Sequence, residues 1–395
     1  MDRRKFLKDS ALASSLLFVP SFLKAFESVD TTRLGYKRLV IVQLAGGNDG
    51  LNTIIPYNND IYYNARPRLA ITKDIIKMTG DLGFHSSLAP LRSLFDNGEL
   101  SILNNVGYPN PVRSHFRSMD IWQTASDSNQ YLQSGWLGRY MDMYGNKPYN
   151  AIEMDEQLSL AMKGEYFNGI ATNDYKVLYR TAKDPFFESV HNHYNDAHLN
   201  EHNLGYLYQT MIEAKSSAKY IYENTKVKLS QQDYPKNALA KQLKNVAQFI
   251  NSNIDTKVFY TSLGGFDTHA NQQDKQARLL SQYAESISSF VNDLKQNGTF
   301  KDTLILTFSE FGRRVKQNAA NGTDHGAANN VFVIGKNLKQ AGFYNNLASL
   351  KDLDSNGDLK YEIDFRSVYA TILKNWVGVS TEGILNPKLK VLSFL

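Results

Sequence analysis

The sequence contains no cysteine. Without thiols the chain cannot form a disulfide, and a zinc site with thiolate ligands is excluded. Any metal that the protein binds must therefore be held by carboxylate oxygens and imidazole nitrogens.

A strong excess of one charge is also missing. The 395 residues include 44 Lys and Arg against 39 Asp and Glu, which gives a formal net charge of +5. No run of basic residues stands out beyond the extreme N-terminus. A protein that binds nucleic acid usually presents a basic patch or stripe, so we expect no nucleic-acid partner.

Long apolar runs are absent as well. The longest near the N-terminus, Ala11 to Leu23, is too short and too interrupted by Ser and Pro20 to span a bilayer securely. It follows Arg3-Arg4-Lys5, a twin-arginine pattern, and residues 1–30 are therefore predicted to be a Tat export signal read by the Tat translocase. This predicts a location in the periplasm or at the cell surface. Leu23-Lys24-Ala25 is a poor cleavage site, so an uncleaved segment acting as a membrane anchor stays open.

Hydrophobic residues make up 42% of the chain, enough for a large core. The β-branched apolar run Leu39-Val40-Ile41-Val42 predicts a strand over residues 37–44 that is covered on both faces of its sheet. Weaker or shorter versions of the pattern predict further strands at residues 100–106, 257–262, 303–308 and 330–334.

Residues 272–296 have apolar side chains at three- and four-residue spacing, which predicts an amphipathic helix between two of these strands. A strand, a long helix and a second strand form a crossover connection between parallel strands. We therefore predict a three-layer α/β/α domain over residues 31–395 with a mostly parallel central sheet. The polar, helix-rich segment of about 183–255 is predicted to be a helical insertion.

Acidic and imidazole side chains follow several of the predicted strands. They are Asp49 in a glycine-rich turn, the pair Asp267 and His269, Glu310, and the pair Asp324 and His325. Ligands of an open α/β sheet bind outside the carboxyl ends of its strands, so these side chains can converge on one point. Such a set suits one or two divalent cations, with zinc, manganese, magnesium and calcium all open. Taken singly, Asp49 is more typical of a tight turn than of a metal site.

Ser114 is the candidate nucleophile. It would begin a helix over residues 115–124, where free backbone N–H groups favour an anion. A plain helix N-cap is the competing interpretation. Arg113 or Arg313 would bind the remaining anionic oxygens of a substrate, since the guanidinium fork matches them.

Several motifs together resemble one family of exported bacterial proteins, DUF1501, and through it the alkaline phosphatase and sulfatase superfamily. The resemblance runs nearly end to end and is weakest in the helical insertion. It rests on the twin-arginine start, Gln43-Leu44-Ala45-Gly46-Gly47-Asn48-Asp49-Gly50-Leu51-Asn52-Thr53 with Pro56-Tyr57, Arg113-Ser114-His115-Phe116, Gly265-Phe266-Asp267-Thr268-His269, Ser309-Glu310-Phe311-Gly312-Arg313, Gly322-Thr323-Asp324-His325-Gly326 and Asp364-Phe365-Arg366.

The resemblance implies roles for single residues. Asp49 resembles the metal aspartate after the first strand, Ser114 the nucleophile, and Asp267 with His269 a ligand pair. His325 resembles the last histidine of the superfamily. Glu310-Phe311 stands where Asp-His is usual, which removes one imidazole from the expected set.

Two functions follow as expectations. The first is a metal-dependent hydrolase of phosphate or sulfate esters, acting on a small anionic ester. The second is a non-catalytic binding protein that kept the fold and lost the chemistry. Two further motifs have the ligand types of a metal site but are more typical of a solvated helix and of a turn. They are the histidines of the insertion, His191, His193, His198 and His202, and the calcium-loop-like run from Asp352 to Asp358.

Overall fold

The computed structural model describes residues 37–185, 202–225 and 230–395. The predicted export signal and the insertion residues His191, His193 and His198 lie outside this part of the chain. The described residues belong to one compact unit, Lys37–Leu395. None of the described helices has the length and apolar character needed to span a bilayer.

The strands are short, and most are buried along their whole length. In chain order they are β1 (Arg38–Ala45), β2 (Ile54–Ile55), β3 (Ile76–Lys77), β4 (Gly83–Phe84), β5 (Leu100–Gly107), β6 (Ala151–Glu153), β7 (Ile170–Ala171), β8 (Val258–Gly264), β9 (Thr303–Phe308), β10 (Asn329–Ile334), β11 (Gly342–Phe343) and β12 (Ile363–Asp364). The five strands predicted from apolar runs are all present, with ends within two residues of the prediction.

The α-helices vary from one turn to seven. They are α1 (Asp60–Ala65), α2 (Arg92–Asp96), α3 (His115–Thr124), α4 (Trp136–Tyr144), α5 (Tyr175–Ala182), α6 (His202–Thr225), α7 (Ala238–Asn251), α8 (Gln272–Gln296) and α9 (Phe365–Thr371). Helices α3 and α8 have the predicted bounds. A π-helical turn, Ile372–Val377, continues α9.

Among the described residues the main sheet has nine strands in the order β11-β5-β10-β9-β1-β8-β6-β7, with β12 also paired to β5. Strand β1 lies at its centre, parallel to both β8 and β9, with Val40 opposite Phe259 on one side and Ile305 on the other. Strand β10 is antiparallel to its two neighbours, and the other pairings are parallel. The predicted mostly parallel sheet is confirmed. A second, antiparallel sheet has the order β2-β4-β3.

Helices cover both faces of the main sheet. On one face Val40 and Val42 of β1 share a buried cluster with Leu243 of α7 and Tyr283 of α8. On the other face Trp122 of α3 stacks between Phe308 of β9 and Phe365 of α9, with ring centroids 4.6 and 4.2 Å away. The three-layer α/β/α architecture is therefore confirmed, and its parallel strands place several loops at one edge of the sheet.

Candidate metal and active site

Asp49 follows β1 and caps a short 3₁₀ turn, where its Oδ1 accepts a hydrogen bond from the Leu51 N–H. Its side chain is buried. Oδ2 accepts from Arg66 Nη1 at 2.6 Å and from Gln272 Nε2. The carboxylate is thus paired with a buried guanidinium, and the structure does not place it with the histidines described below.

Two glycines let the loop after β1 approach its neighbours. Gly46 has a φ of 117°, and a Cβ there would lie 2.4 Å from the Asp267 backbone nitrogen. Gly47 has a φ of 74°, and a Cβ there would lie 2.3 Å from Cε2 of Phe311. Only glycine fits both the backbone angle and the space. This close approach brings the loops after β1, β8 and β9 together.

Asp267 lies at the centre of the site, on the loop after β8. Its Oδ1 accepts from Arg313 Nη2 at 2.8 Å and lies 3.3 Å from His325 Nε2. Partial burial alone would raise the pKa of Asp267, but the hydrogen bond from Arg313 and the charge of its guanidinium outweigh it and hold the pKa well below its usual range. The carboxylate is therefore ionised at any pH of interest.

Arg313 is fully buried and does not face solvent. Its guanidinium donates to the backbone carbonyls of Gly46, Gly47, Phe266 and Thr323 as well as to Asp267. Every nitrogen of the fork is engaged within the protein, which leaves no free face for a substrate. The expected anion-binding role of Arg313 is therefore replaced by another one: it joins three loops and positions Asp267.

His269 and His325 meet beside this carboxylate. Their Nε2 atoms are 2.9 Å apart, and His269 Nε2 is 3.0 Å from Asp267 Oδ1. Asp324 does not reach the centre, since its Oδ1 lies 3.4 Å from the Nδ1 of His269 and accepts from Asn318. That bond from Asn318, more than the contact with His269, lowers the pKa of Asp324. The structure thus brings three of the six predicted metal ligands, Asp267, His269 and His325, to the centre.

His115, the first residue of α3, completes the cluster and is absent from the predicted ligands. Its Nδ1 lies 3.0 Å from Glu310 Oε1, and its Nε2 lies 3.4 Å from Asp267 Oδ1. Glu310 is buried and accepts from the Gly46 N–H at 2.8 Å. Glu310 therefore holds a histidine and does not itself occupy the centre. One feature of the sequence could have identified His115: it directly follows the candidate nucleophile Ser114 in the motif Arg113-Ser114-His115-Phe116.

One ligand atom each from His115, Asp267 and His325 lies within 4.8 Å of the other two. Ligands that surround a zinc ion tetrahedrally at about 2.05 Å are about 3.3 Å apart. The contacts of Asp267 Oδ1 with the histidines, 3.0 to 3.4 Å, match that spacing. The set has the size of a single-cation site, with nitrogen-rich donors of the kind that zinc prefers.

The hydrogen-bond network also fits a cation. His325 Nδ1 lies 2.7 Å from the Arg113 carbonyl oxygen, a pure acceptor, so the proton of a neutral ring is on Nδ1 and the lone pair is on Nε2. Glu310 assigns the same tautomer to His115, whose buried Nε2 has no hydrogen-bond partner within the described part of the chain. These rings are held at one nitrogen and present the other, as metal-binding histidines do.

His269 is the residue whose contacts a neutral ring cannot satisfy. It faces the acceptor Asp324 Oδ1 with its Nδ1 and the lone pair of His325 with its Nε2. A neutral imidazole has one N–H and can donate to only one of them. A metal ion that accepts the Nε2 lone pairs of His269 and His325 would satisfy the arrangement.

The pKa values of the other two histidines, His115 and His325, are shifted in opposite directions. The hydrogen bond from His115 to Glu310 raises the pKa of His115. Burial lowers the pKa of His325, and the nearby charges of Arg313 and His115 lower it further. His325 is thus kept neutral and ready to ligate, whereas a proton competes with a metal at His115.

Ser114 caps α3 with extended backbone angles and is exposed, and its side chain makes no capping hydrogen bond. Its hydroxyl is therefore not consumed by the helix that follows. The preceding residue, Arg113, is held by Asp358 at 2.6 Å and Asp354 at 3.0 Å. The Arg113 guanidinium thus occupies the position that a cation would take in the calcium-loop-like run from Asp352 to Asp358. The charge of Arg113 is already neutralised by two carboxylates.

Several solved structures are similar to the chain at low sequence identity. The lipoteichoic acid synthase LtaP from Listeria monocytogenes has a TM-score of 0.42 at 11% identity, over 91% of this chain and 76% of that one. The PsFucS1 sulfatase from Pseudoalteromonas sp. has a TM-score of 0.39 at 10% identity, over 94% and 73%. A protein of the alkaline phosphatase superfamily from Vibrio parahaemolyticus has a TM-score of 0.36 at 12% identity, over 90% and 70%.

No curated protein matches the chain in sequence. Residues 100–385 match a family described as "Protein of unknown function (DUF1501)". This span includes every residue of the cluster around Asp267, from His115 to His325, and it covers most of the chain. The protein is therefore a member of the DUF1501 family.

Proposed function

We propose that the protein is an exported metal-dependent hydrolase that cleaves phosphate or sulfate esters. One observation carries the proposal: the Nε2 atoms of His115, His269 and His325 face the ionised Asp267, while each Nδ1 faces an acceptor. A bound divalent ion would polarise an ester oxygen and offset its negative charge. Zinc suits the three imidazoles best, and manganese, magnesium and calcium are the alternatives to test.

Ser114 is the proposed nucleophile. It is exposed, it is adjacent to the ligand His115, and its hydroxyl is free of a capping bond. The N-terminus of the ten-residue helix α3 presents backbone N–H groups that can bind anionic oxygens. In the proposed reaction the Ser114 oxygen bonds to the phosphorus or sulfur atom while the bond from that atom to the alcohol oxygen breaks, and the alcohol leaves with the serine proton. Water then cleaves the bond to Ser114 and releases phosphate or sulfate.

Lys275 is a better source of positive charge for the substrate than the two arginines predicted earlier. Arg313 is buried with its fork engaged, and Arg113 is paired with two aspartates. Lys275 is partly exposed on the first turns of α8, with Nζ 3.5 Å from the Asp267 carbonyl oxygen. A flexible ammonium can move from that carbonyl to an anionic oxygen of a substrate.

The metal site is tested first. Purified full-length protein should contain or bind close to one equivalent of a divalent ion, measured by elemental mass spectrometry. His115→Ala and Asp267→Ala should lose it, while Asp274→Ala, a substitution in the first turn of α8, should keep it. If both ligand variants bind as much metal as the parent protein, the site is refuted.

Turnover is tested separately, with aryl phosphates and aryl sulfates in the presence of zinc, manganese, magnesium or calcium. We expect hydrolysis with at least one metal and its loss in Ser114→Ala without loss of bound metal. A protein that binds metal but cleaves none of these esters would support the second candidate, a non-catalytic binding protein. The Glu310-Phe311 pair, which leaves one imidazole fewer than the superfamily pattern, favours that candidate.

Export by the Tat translocase and a periplasmic or surface location are part of the proposal. They rest on Arg3, Arg4 and the apolar stretch that follows. Replacing both arginines with lysine should leave the protein in the cytoplasm of an expressing bacterium, as cell fractionation would show.

A further inference from the structure

An apolar cavity of about 300 Å³ lies at the same edge of the sheet as the metal cluster. Its walls come from the end of β5, the loop after β9, the residues before β10 and the loop before β12. The lining is mainly apolar and includes Tyr108, Pro111, Phe311, Ala327, Leu359 and Tyr361.

Two elements join this cavity to the proposed active site. Phe311 forms one wall, and its ring centroid is 4.9 Å from that of His115 and 4.6 Å from that of His325. The segment that contributes Tyr108 and Pro111 continues directly into Ser114. A group held in the cavity is therefore in contact with the same ring that packs on two proposed metal ligands.

The charged residues at the cavity are both paired. Asp354 binds Arg113 at 3.0 Å, and Lys360 forms an ion pair with Asp352. A charged occupant would meet no free counter-charge among the described residues that line the cavity, and the mainly apolar walls offer few partners for the hydroxyls of a sugar. A cavity of about 150 Å³ is known to hold benzene, so this one accommodates a ring with substituents. The chemistry favours an uncharged apolar group.

From these contacts we propose that the cavity binds the alcohol part of the ester, and that the substrates are phosphate or sulfate esters of aromatic or compact apolar alcohols. This inference rests on the proposed hydrolase for its reaction, but not for the binding of the apolar group. Burial of the ring against Phe311 and Tyr361 supplies the selectivity, while the cluster around Asp267 binds the anion.

The first test compares phenyl phosphate with glycerol phosphate on zinc-loaded full-length protein. We expect kcat/KM to be at least about tenfold higher for phenyl phosphate. Ala327→Phe, which fills the cavity, should lower kcat/KM about tenfold more for phenyl phosphate than for glycerol phosphate. Ala341→Phe, at a similarly part-exposed alanine outside the cavity, should change neither. Equal loss for both substrates in Ala327→Phe would overturn the inference.

A second measurement needs no turnover. Phenol alone should bind metal-free full-length protein, detected by saturation-transfer NMR, and Ala327→Phe should abolish the signal while Ala341→Phe retains it. If no ester is hydrolysed but phenol binds in this way, the proposed hydrolase activity is refuted and the binding of an apolar group in the cavity is supported. Phenol binding that Ala327→Phe does not reduce overturns the cavity, whatever the turnover.

A variant that widens the cavity covers the case in which Ala327→Phe does not fold. Tyr361 is 37% exposed and its side chain forms part of the wall, so Tyr361→Ala should be tolerated. It should raise the kcat/KM of naphthyl phosphate relative to phenyl phosphate, and the binding of naphthol relative to phenol. An unchanged ratio in both measurements would count against the inference.

Discussion

Replacing Glu310 with glutamine tests how the site holds its histidines. Glu310 Oε1 accepts from His115 Nδ1 at 3.0 Å and from the Gly46 N–H at 2.8 Å. Glutamine has the same shape and can accept both hydrogen bonds, but it has no charge. The variant therefore removes the electrostatic support of His115 while leaving the loops in place.

The expected loss of metal affinity follows from the position of Glu310, which contacts the proposed ligand His115 on the side away from the metal. Loss of a carboxylate that orients a metal-binding histidine typically weakens metal affinity 10- to 100-fold. This corresponds to about 1.4 to 2.8 kcal/mol of binding free energy. Glu310 is buried, so solvent screens its interaction with His115 only weakly, and we expect a value within that range.

The sign of the pH dependence can also be worked out. Glu310 raises the pKa of His115, so protons compete with metal for this ring as the pH falls. In Glu310→Gln the pKa of His115 should move back down, and proton competition should begin at a lower pH. The difference in affinity between the parent protein and the variant should therefore be largest at high pH and narrow as the solution becomes acidic.

Zinc affinity would be measured by competition with a chromophoric chelator across this pH range. Glu153→Gln is the matched control, because Glu153 is also buried at a strand end but accepts from the Ser159 N–H and not from a histidine. Glu310→Gln with parental zinc affinity at every pH would refute the assignment of Glu310 and His115. A drop of the same size in Glu153→Gln would point to a general effect on the fold.

Three further outcomes are expected, each checked by urea or thermal unfolding. Burial raises the pKa of Glu153 to about 7 from its ordinary 4.5, so the folded state holds this proton more tightly than the unfolded chain. As the pH rises from about 4.5 to about 7, the free energy of unfolding should therefore fall by up to about 3 kcal/mol. Glu153→Gln should remove this slope, and the exposed control Glu156→Gln should keep it. Arg66→Met leaves the carboxylate of Asp49 buried and unpaired, so it should cost about 3 to 5 kcal/mol, with partial recovery when Asp49→Asn is added. Zinc at 100 times its dissociation constant should stabilise the parent protein by about 2.7 kcal/mol and should not stabilise His115→Ala.

Local patterns were sufficient for the main elements of the fold. The apolar run of β1 and the helical spacing of α8 depend on neighbouring residues in the chain, and both elements appear where the pattern predicts them. The order of the strands depends on distant pairings instead. Nothing in the run over residues 329–334 indicates that β10 inserts antiparallel between β5 and β9.

The candidate site divides in the same way. Residue type and strand ends are local properties, so the chain alone predicts that acidic and imidazole side chains follow the strands. The direction of each side chain depends on the folded molecule. Arg66 and Gln272 hold Asp49 in the interior, and Gly46 and Phe266 help to engage Arg313, whereas Glu310 directs His115 toward Asp267. These choices depend on partners that the chain brings together from far apart, and spacing along a strand or helix does not reveal them.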